Sequence, residues 1–490
     1  MKPGHHDFAA AQARARAGIA GTLLLLLTLA GCERSTLPPR ADVGPDPTLV
    51  EPKDTWLPTV DIAPAVGWSD GQMPRPAPGL QVQALASGLD HPRWLLVLPN
   101  GDVLVAETNA PERPARGNSL RGWIMKKVMQ RAGAGVPSAD RITLLRDADG
   151  DGRAELRSVF IDKLHSPFGM ALVGDKLYVA NTDAVLEFPY GSGQTSITAP
   201  GRKLTDLPGG DLNHHWTKSL IASPDGARLY ATVGSNSNVA ENGIAAEEGR
   251  AAIWQIDRAS GDKRLYATGL RNPNGMAWIA APGGAAPVLW TVVNERDEIG
   301  SDLVPDYLSS VRDGGFYGWP YSWYGAHVDV RVRPPRPDLV ARAIVPDYAL
   351  GAHVAALGLV AASDGALTQR LGRSGDAGVT GSATAAASAP AAAASAAQPA
   401  AAEVAALPAA AGVFIGLHGS WNRPQPVGYE VLRVPFDGGA PSGPAEVFAT
   451  GWLADGQVSG RPVGLAVGPD GALYLSDDRG GFIYRIAYGE

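Results

Sequence analysis

Apolar and polar residues alternate along most of this chain in short bursts, each interrupted by a Gly, Asp or Asn turn. The clearest is PRWLLVLPNGDVLVAET at 92–108, where two apolar runs flank an Asn-Gly pair. The same phrase returns as PFGMALVGDKLYVANTD (167–183), HWTKSLIASPDGARLYATVGS (215–235) and, longer, NPNGMAWIAAPGGAAPVLWTVVNE (272–295). A copy beginning HVAALGLVAASDG (353–365) resumes at GVFIGLHGS (412–420), and RPVGLAVGPDGALYLSDD (461–478) closes the series. A period of two with an NG, DG or GD turn predicts a β-hairpin. One hairpin cannot bury both of its faces, so repeats of this kind close radially. Six copies, unevenly spaced by roughly 50 to 110 residues, predict an all-β chain folded as a six-bladed β-propeller. The loops on one side of its inner strands converge on the axis, where a ligand would sit. A pair of stacked β-sandwiches is the competing architecture.

Two stretches interrupt the pattern. Residues 374–411 are low-complexity Ala, Ser and Pro, too poor in bulky apolar residues to pack, and are expected to form a disordered insertion. The insertion at about 110–140 contains RGNSLRGWIMKKVMQRAG, whose Trp123, Ile124, Val128 and Met129 beside Lys126, Lys127 and Arg131 predict a short helix. It would pack across a propeller face or lie on a membrane or redox partner. Upstream, residues 32–78 are Pro-rich and aperiodic and are expected to be a tether, leaving 79–490 as the propeller domain.

Composition fits strands joined by turns: Gly 60 and Pro 40 among 490 residues make up about a fifth of the chain. The formal net charge of −7 and the lack of a dense Lys/Arg tract argue against a nucleic-acid surface. The single cysteine, Cys32, follows IAGTLLLLLTLAG and the basic residues Lys2, Arg14 and Arg16. That order predicts a signal peptide over 1–31. LAGC resembles the lipobox of bacterial lipoproteins, which implies lipidation of Cys32 and a lipid-anchored protein on the periplasmic side of a bacterial membrane.

Five short motifs are candidates for chemistry. In DADGDGRAE (147–155), Asp147, Asp149 and Asp151 alternate before Gly152, as in a calcium loop. Ser158 stands where the bidentate Glu of such a loop would be, and Glu155 can contribute instead. Its expected role is structural. Arg271 and Asn272 lie in GLRNPNG, Arg461 in SGRPVG, and His418, Asn422 and Arg423 in HGSWNRP. Guanidinium groups converging on one axis suit a ligand with several carboxylates or phosphates. His215 in DLNHHWTKSL opens the third copy, on the same ring, and its imidazole is suited to general-base work. Asp211 is close enough in sequence to orient it, and strand alternation should turn His214 elsewhere.

These residues carry a resemblance. His215 with SPDG, the RNPNG turn, GGFYGWP at 314–320 and GRPVGLAVGPDG resemble the pyrroloquinoline quinone (PQQ)-dependent soluble sugar dehydrogenases, and more specifically their glucose/sorbosone branch. The resemblance covers about 80–490 apart from the insertions. It implies PQQ across the axis of a six-bladed propeller, and a His base on a sugar or aldehyde substrate with hydride passing to the quinone. An external cytochrome or quinone would take the electrons. His215 aligns with the base, Arg271 with the Arg near the reactive quinone oxygen, Asn272 with its neighbour, and Arg461 with a carboxylate-binding Arg. The family's active-site Ca²⁺ is held by two successive backbone carbonyls, which match Glu295 and Arg296.

Four positions depart from the family pattern. Val463 replaces a second Arg, Gly419 stands near the PQQ-binding Lys, His214 replaces an acid, and Glu295-Arg296 replaces Gly-Pro. Arg423 or His418 would then supply the missing cofactor-binding charge. A Ca²⁺-dependent propeller lactonase and a non-enzymatic carbohydrate- or protein-binding propeller are the alternatives.

Overall fold

The computed structural model describes residues 35–53, 63–112, 136–362 and 412–488. Among the described residues, six sheets of four or more strands, antiparallel but for Gly315–Phe316 beside Lys263–Thr268, follow one another along the chain. Blade 1 is built from Pro92–Val97, Val103–Glu107, Arg141–Arg146 and Leu156–Ile161. Blade 2 spans Met170–Val173 to Arg202–Asp206, blade 3 spans Leu220–Ala222 to Lys263–Thr268, and blade 4 spans Asn272–Ile279 to Tyr348–Ala352. In blade 5, Ala356–Ala362 pairs with Gly412–Leu417, so the interrupted copy is one hairpin, as its pattern predicted. Blade 6 joins Pro462–Val467, Leu473–Asp477 and Phe482–Tyr488 to an early strand, Leu80–Ala86. That last pairing ties the two ends of the repeat together and closes the ring. Among the described residues, helix is confined to single turns such as Ile244–Glu247 and Pro337–Val340.

The first strand of every blade is innermost and touches the first strands of both neighbours. Their close approach depends on side-chain volume. A Cβ on Gly169 would sit 2.2 Å from the backbone nitrogen of Leu220, and one on Gly275 2.4 Å from that of Leu359. On Gly358 it would meet the Val463 carbonyl at 2.2 Å, and on Gly464 the Arg93 carbonyl at 2.6 Å. In four of the six blades, glycine therefore lets backbone meet backbone around the axis. At one end of the axis, inner-strand residues including Trp94, Met170, Met276, Leu359 and Val467 line an apolar cavity of about 230 Å³.

The segment expected to be a tether is instead part of the fold. Val43–Gly44 adds a strand to blade 4 and Arg75–Pro76 adds one to blade 5. Trp68 reaches blade 6 and donates its indole N–H to Asp477. Prolines that forbid regular structure within the segment do not stop it from using the sheet edges of its neighbours. The expected signal peptide over 1–31, Cys32, most of the insertion at about 110–140 and all of 374–411 lie outside the described residues.

Replacing Gly358 with Ala is expected to force the inner strands of blades 5 and 6 apart. Overpacking of this kind costs about 1–3 kcal/mol, and a lowered thermal midpoint would show it. An unchanged midpoint would mean that the strands can separate without penalty.

Candidate functional site

Inner strands run from the mouth of the axis inward, and second strands return to it. The mouth is thus lined by residues just before the first strand and just after the second. His215 reaches it from the loop ahead of Leu220–Ala222. Its Nδ1 lies 2.9 Å from the Ser235 carbonyl and 3.0 Å from Ser235 Oγ. That hydroxyl gives its own proton to the Ser237 carbonyl, so both partners of Nδ1 are acceptors. Nδ1 therefore carries the proton, and Nε2 is left with its lone pair. Burial, then the nearby His214 and Arg271, hold the His215 pKa well below the usual histidine value. The ring is neutral at neutral pH, as a base must be. Gly234 leaves room for this geometry, since a Cβ there would meet His215 Cβ at 2.5 Å and Asn272 Oδ1 at 2.4 Å. His214 is exposed and packs edge-on against His215, ring centres 4.6 Å apart. Asp211, expected to orient the base, is exposed, and Ser235 performs that task instead.

Arg271 is 4% exposed and fully engaged. Nε donates to the Asn238 carbonyl (3.2 Å), Nη1 to the carbonyls of Glu295 (2.6 Å) and Asn294 (3.4 Å), and Nη2 to Asn238 Oδ1 and Asp297 Oδ2 (both 3.0 Å). All five donors are spent on protein, so Arg271 contributes field but no free grip. The same contact revises the calcium expectation for Glu295 and Arg296. The Glu295 carbonyl faces a guanidinium, and a cation bound to it would stand a few ångströms from that positive charge. The Arg296 side chain is buried in an ion pair with Asp329. This pair of carbonyls does not suit a calcium ion.

Arg461 differs from the other arginines of the mouth. It is 5% exposed and stacks over the Tyr429 ring at 5.0 Å. Only Nη1 finds acceptors, the His418 and Gly419 carbonyls at 3.4 and 3.3 Å. Nε and Nη2 have no partner, and among the described residues no carboxylate pairs with it. Other buried polar atoms without partners occur around the mouth, including Arg93 Nε, Asn272 Oδ1 and Asp478 Oδ1. Buried polar groups are ordinarily satisfied, so this set indicates a place for a polar, anionic ligand.

Arg423 and His418 do not supply the cofactor-binding charge expected of them. Arg423 is turned toward the rim, where Nη2 donates to Asp302 Oδ1 (2.9 Å) and Ser35 Oγ (3.0 Å). His418 donates from Nε2 to Asp478 at 3.0 Å, and burial lowers its pKa to about 4 despite that carboxylate, leaving it neutral. The cation beside Arg461 is instead Arg93, 2.7 Å from Asp478.

Arg93, Asp478, Asp297 and His353 were missed in the sequence. Asp297 accepts from Arg271, from Asn422 Nδ2 at 2.7 Å and from His353 Nδ1 at 3.2 Å. Burial would raise its pKa, but these partners hold it well below the carboxylate range. His353 donates from Nε2 to the Gly300 carbonyl at 3.0 Å. With acceptors facing both nitrogens, its pKa is raised against the effect of burial, which favours the charged form. The signal was available: polar residues follow the second strands as NERD, HGS and SDD, at the end of each phrase opposite the one the turns had drawn attention to.

The acidic loop is assembled as expected but lies elsewhere. Ligand atoms of Asp147, Asp149, Asp151 and Glu155 lie within 4.8 Å of one another. The loop joins the third and fourth strands of blade 1, on the face opposite the mouth. Its carboxylates also cap backbone N–H groups, such as that of Ala148 on Glu155 at 2.6 Å.

The TrAA12-like family profile matches residues 139–305 and 346–489, which include His215, Arg271, Asp297, Arg461 and Asp478. The chain belongs to the TrAA12-like family. Among curated relatives, an uncharacterized protein of Borreliella burgdorferi is 22% identical over 342 residues, 66% of this chain and 76% of that protein. The pyrroloquinoline quinone-dependent pyranose dehydrogenase of Coprinopsis cinerea is 37% identical over 93 residues, 15% of this chain and 13% of that protein. A family AA12 carbohydrate-active enzyme of Trichoderma reesei, in its iodide structure, superposes with TM-score 0.62 at 18% identity, covering 85% of this chain and 98% of that one. The holo PQQ domain of the Coprinopsis pyranose dehydrogenase gives 0.59 at 18% identity, covering 87% and 100%. These likenesses establish the propeller fold of this TrAA12-like chain.

Replacing Asp297 with Ala would leave Arg271 and His353 without their shared anion. Breaking a buried pair in this way costs about 3–5 kcal/mol. Denaturant unfolding is expected to register that loss, and a change below 1 kcal/mol, the size of a surface pair, would show that Asp297 is not the centre of the network.

Proposed function

We propose that this chain is a PQQ-dependent oxidoreductase that oxidises a sugar, sugar aldehyde or related polyol of the glucose/sorbosone class and passes the electrons to an external acceptor such as a cytochrome or quinone. The observation that carries this reading is the incomplete polar ring at the mouth, with a neutral imidazole at one position and a buried guanidinium without a counter-ion at another. The PQQ-dependent relative and the fold shared with a holo PQQ domain support the choice of cofactor.

The residues present fit such a group. Arg461 Nε and Nη2 form a two-pronged donor, without a protein partner, of the kind that grips a carboxylate, and Arg93 Nε is a further donor. When bound, PQQ supplies a quinone able to accept a hydride. His215 Nε2 takes the proton of the substrate hydroxyl, and the bond from Nδ1–H to the Ser235 carbonyl fixes the tautomer and steadies the imidazolium that forms. Arg271, held rigid by five acceptors, directs a fixed positive field at developing negative charge. His214, exposed and edge-on to the base, is placed to return the proton to water.

A metal-dependent lactonase would need unspent carboxylates at the mouth. Of the acids there, Asp297, Asp302 and Asp478 each already face an arginine and Asp306 accepts the backbone N–H groups of Glu295 and Ala355, which leaves Glu295, with one carboxylate oxygen unpartnered, as a single acid rather than the set a catalytic metal needs. A calcium ion on Asp147, Asp149, Asp151 and Glu155 belongs to this reading only as a staple for its loop. Lipidation at Cys32 would hold the protein on the periplasmic side of the membrane.

Adding PQQ to purified protein should produce a spectral change and dye reduction with at least one member of a sugar and aldehyde panel. Silence in both measurements would refute the proposal. His215→Ala should cut turnover by about 10²–10⁴-fold while PQQ still binds, whereas Arg461→Ala should weaken PQQ binding itself. Because the His215 pKa is depressed, protonation should disable the base only in acid. The acid limb of kcat is expected below the ordinary histidine value of about 6.5, and a limb at or above it would reject His215 as the base.

A further inference from the structure

Two features meet on the blade 4 rim of the mouth. The first is where the described chain begins. Ser35 Oγ donates to Asp302 Oδ1 at 2.5 Å and the Thr36 backbone N–H to Asp302 Oδ2 at 2.6 Å, while Arg423 braces the same carboxylate. Asp302 lies in the loop after the second strand of blade 4, the same loop that carries Asp297. Cys32 precedes Ser35 by three residues, which span at most roughly 10 Å. Under the lipid-anchor reading, a group attached to Cys32 would lie within that reach of Ser35 and so of the mouth's rim.

The second feature is a surface patch secured to that loop. Arg296 pairs with Asp329, and Glu298 with Arg331 at 3.2 Å. Between and beside these anchors Val328 and Val330 stand 57% and 65% exposed. The run RVRPPRPDLVAR (331–342) that follows has four arginines and one aspartate, a formal +3 in a chain whose total is −7. Arg331, Arg333 and Arg336 are all exposed. Apolar side chains flanked by exposed arginines, on a protein otherwise acidic, match the chemistry of an anionic membrane surface.

We propose that the blade 4 rim of the mouth is a membrane-docking surface, with Val328 and Val330 entering the interface and Arg331, Arg333 and Arg336 at the level of anionic phospholipid headgroups. The lipid-anchor reading supplies one of its two supports, but the patch makes its own prediction. Docked this way, the mouth opens along the bilayer rather than away from it.

The test uses the purified chain and its Cys32→Ser variant, mixed with vesicles of phosphatidylcholine alone or with added phosphatidylglycerol. Cys32→Ser should co-sediment with the anionic vesicles at low salt and release at high salt. Adding Val328→Asp with Val330→Asp, or Arg333→Glu with Arg336→Glu, should reduce binding by roughly tenfold or more. Circular dichroism and the thermal midpoint should stay unchanged, because these residues are on the surface. Binding that ignores vesicle charge, or that survives both double substitutions, overturns the proposal, as does a Cys32→Ser chain that stays in the supernatant. Capture by an acidic protein without any vesicle binding would also overturn it, in favour of a protein interface. Mass spectrometry of the wild-type chain separates the two readings: an unacylated Cys32 with intact vesicle binding removes the anchor and leaves the docking surface standing.

Discussion

The contact on which this propeller depends is backbone against backbone at the axis. Where Gly358 faces the Val463 carbonyl, there is no volume for even a methyl group, and the same holds at Gly169, Gly275 and Gly464. Blade 3 has Ser219 at the corresponding place and blade 1 has Trp94, which packs onto Phe168 at 4.8 Å. Drawing the inner strands this close has a chemical consequence. Their mouth ends, and the ends of the returning second strands, deliver polar side chains from every blade into one small space.

Crowding of that kind is tolerable only if charge is balanced. Asp297 gathers Arg271, His353 and Asn422, while Asp478 gathers Arg93 and His418. Asp302 holds Arg423 and the start of the described chain. Each anion ties together residues from different blades, so the mouth is braced across the seams between them. Against that background the unpaired Arg461 is informative. A guanidinium buried without a counter-ion is costly; Arg93, Arg271 and Arg423 each have a carboxylate, and Arg250 spends its donors on Asn213 and two backbone carbonyls, whereas Arg461 keeps two nitrogens without any acceptor. The natural complement is an anion that arrives with a ligand.

The six blades were legible because alternation and turn residues are local properties of the chain. PRWLLVLPNGDVLVAET declares a hairpin without reference to anything distant, and the split copy could be joined across its insertion for the same reason. The place of His215 and Arg461 at the mouth was legible because each sits next to such a phrase. The roles of Arg271, Arg423 and His418 were not legible, since whether a cation is free or paired depends on acids brought in from other blades. Nothing near Arg423 in sequence announces Asp302 and Ser35, and nothing near Arg271 announces Asn238. The N-terminal segment was misread for a related reason. Its prolines deny it a strand pattern of its own, and the edges it uses belong to blades 4 and 5.

That segment also changes how the mouth should be understood. A flexible tether would leave the propeller free to rotate relative to whatever holds it, and the pinned segment removes that freedom. Trp68 reaches through blade 6 to Asp477, whose other oxygen accepts the backbone N–H of Arg461 at 2.8 Å. The strap therefore supports the residue with the unpaired guanidinium from behind, while its first residues grip the rim at Asp302. Burial raises the Asp477 pKa to about 6, and the strap's indole N–H, with the backbone N–H groups of Arg461 and Gly480, pulls against that rise by stabilising the carboxylate. The N-terminal segment thus touches both the outermost rim, at Asp302, and the support of the innermost cation, at Asp477. A segment of that kind belongs to the site, even though it contributes no group that touches a ligand.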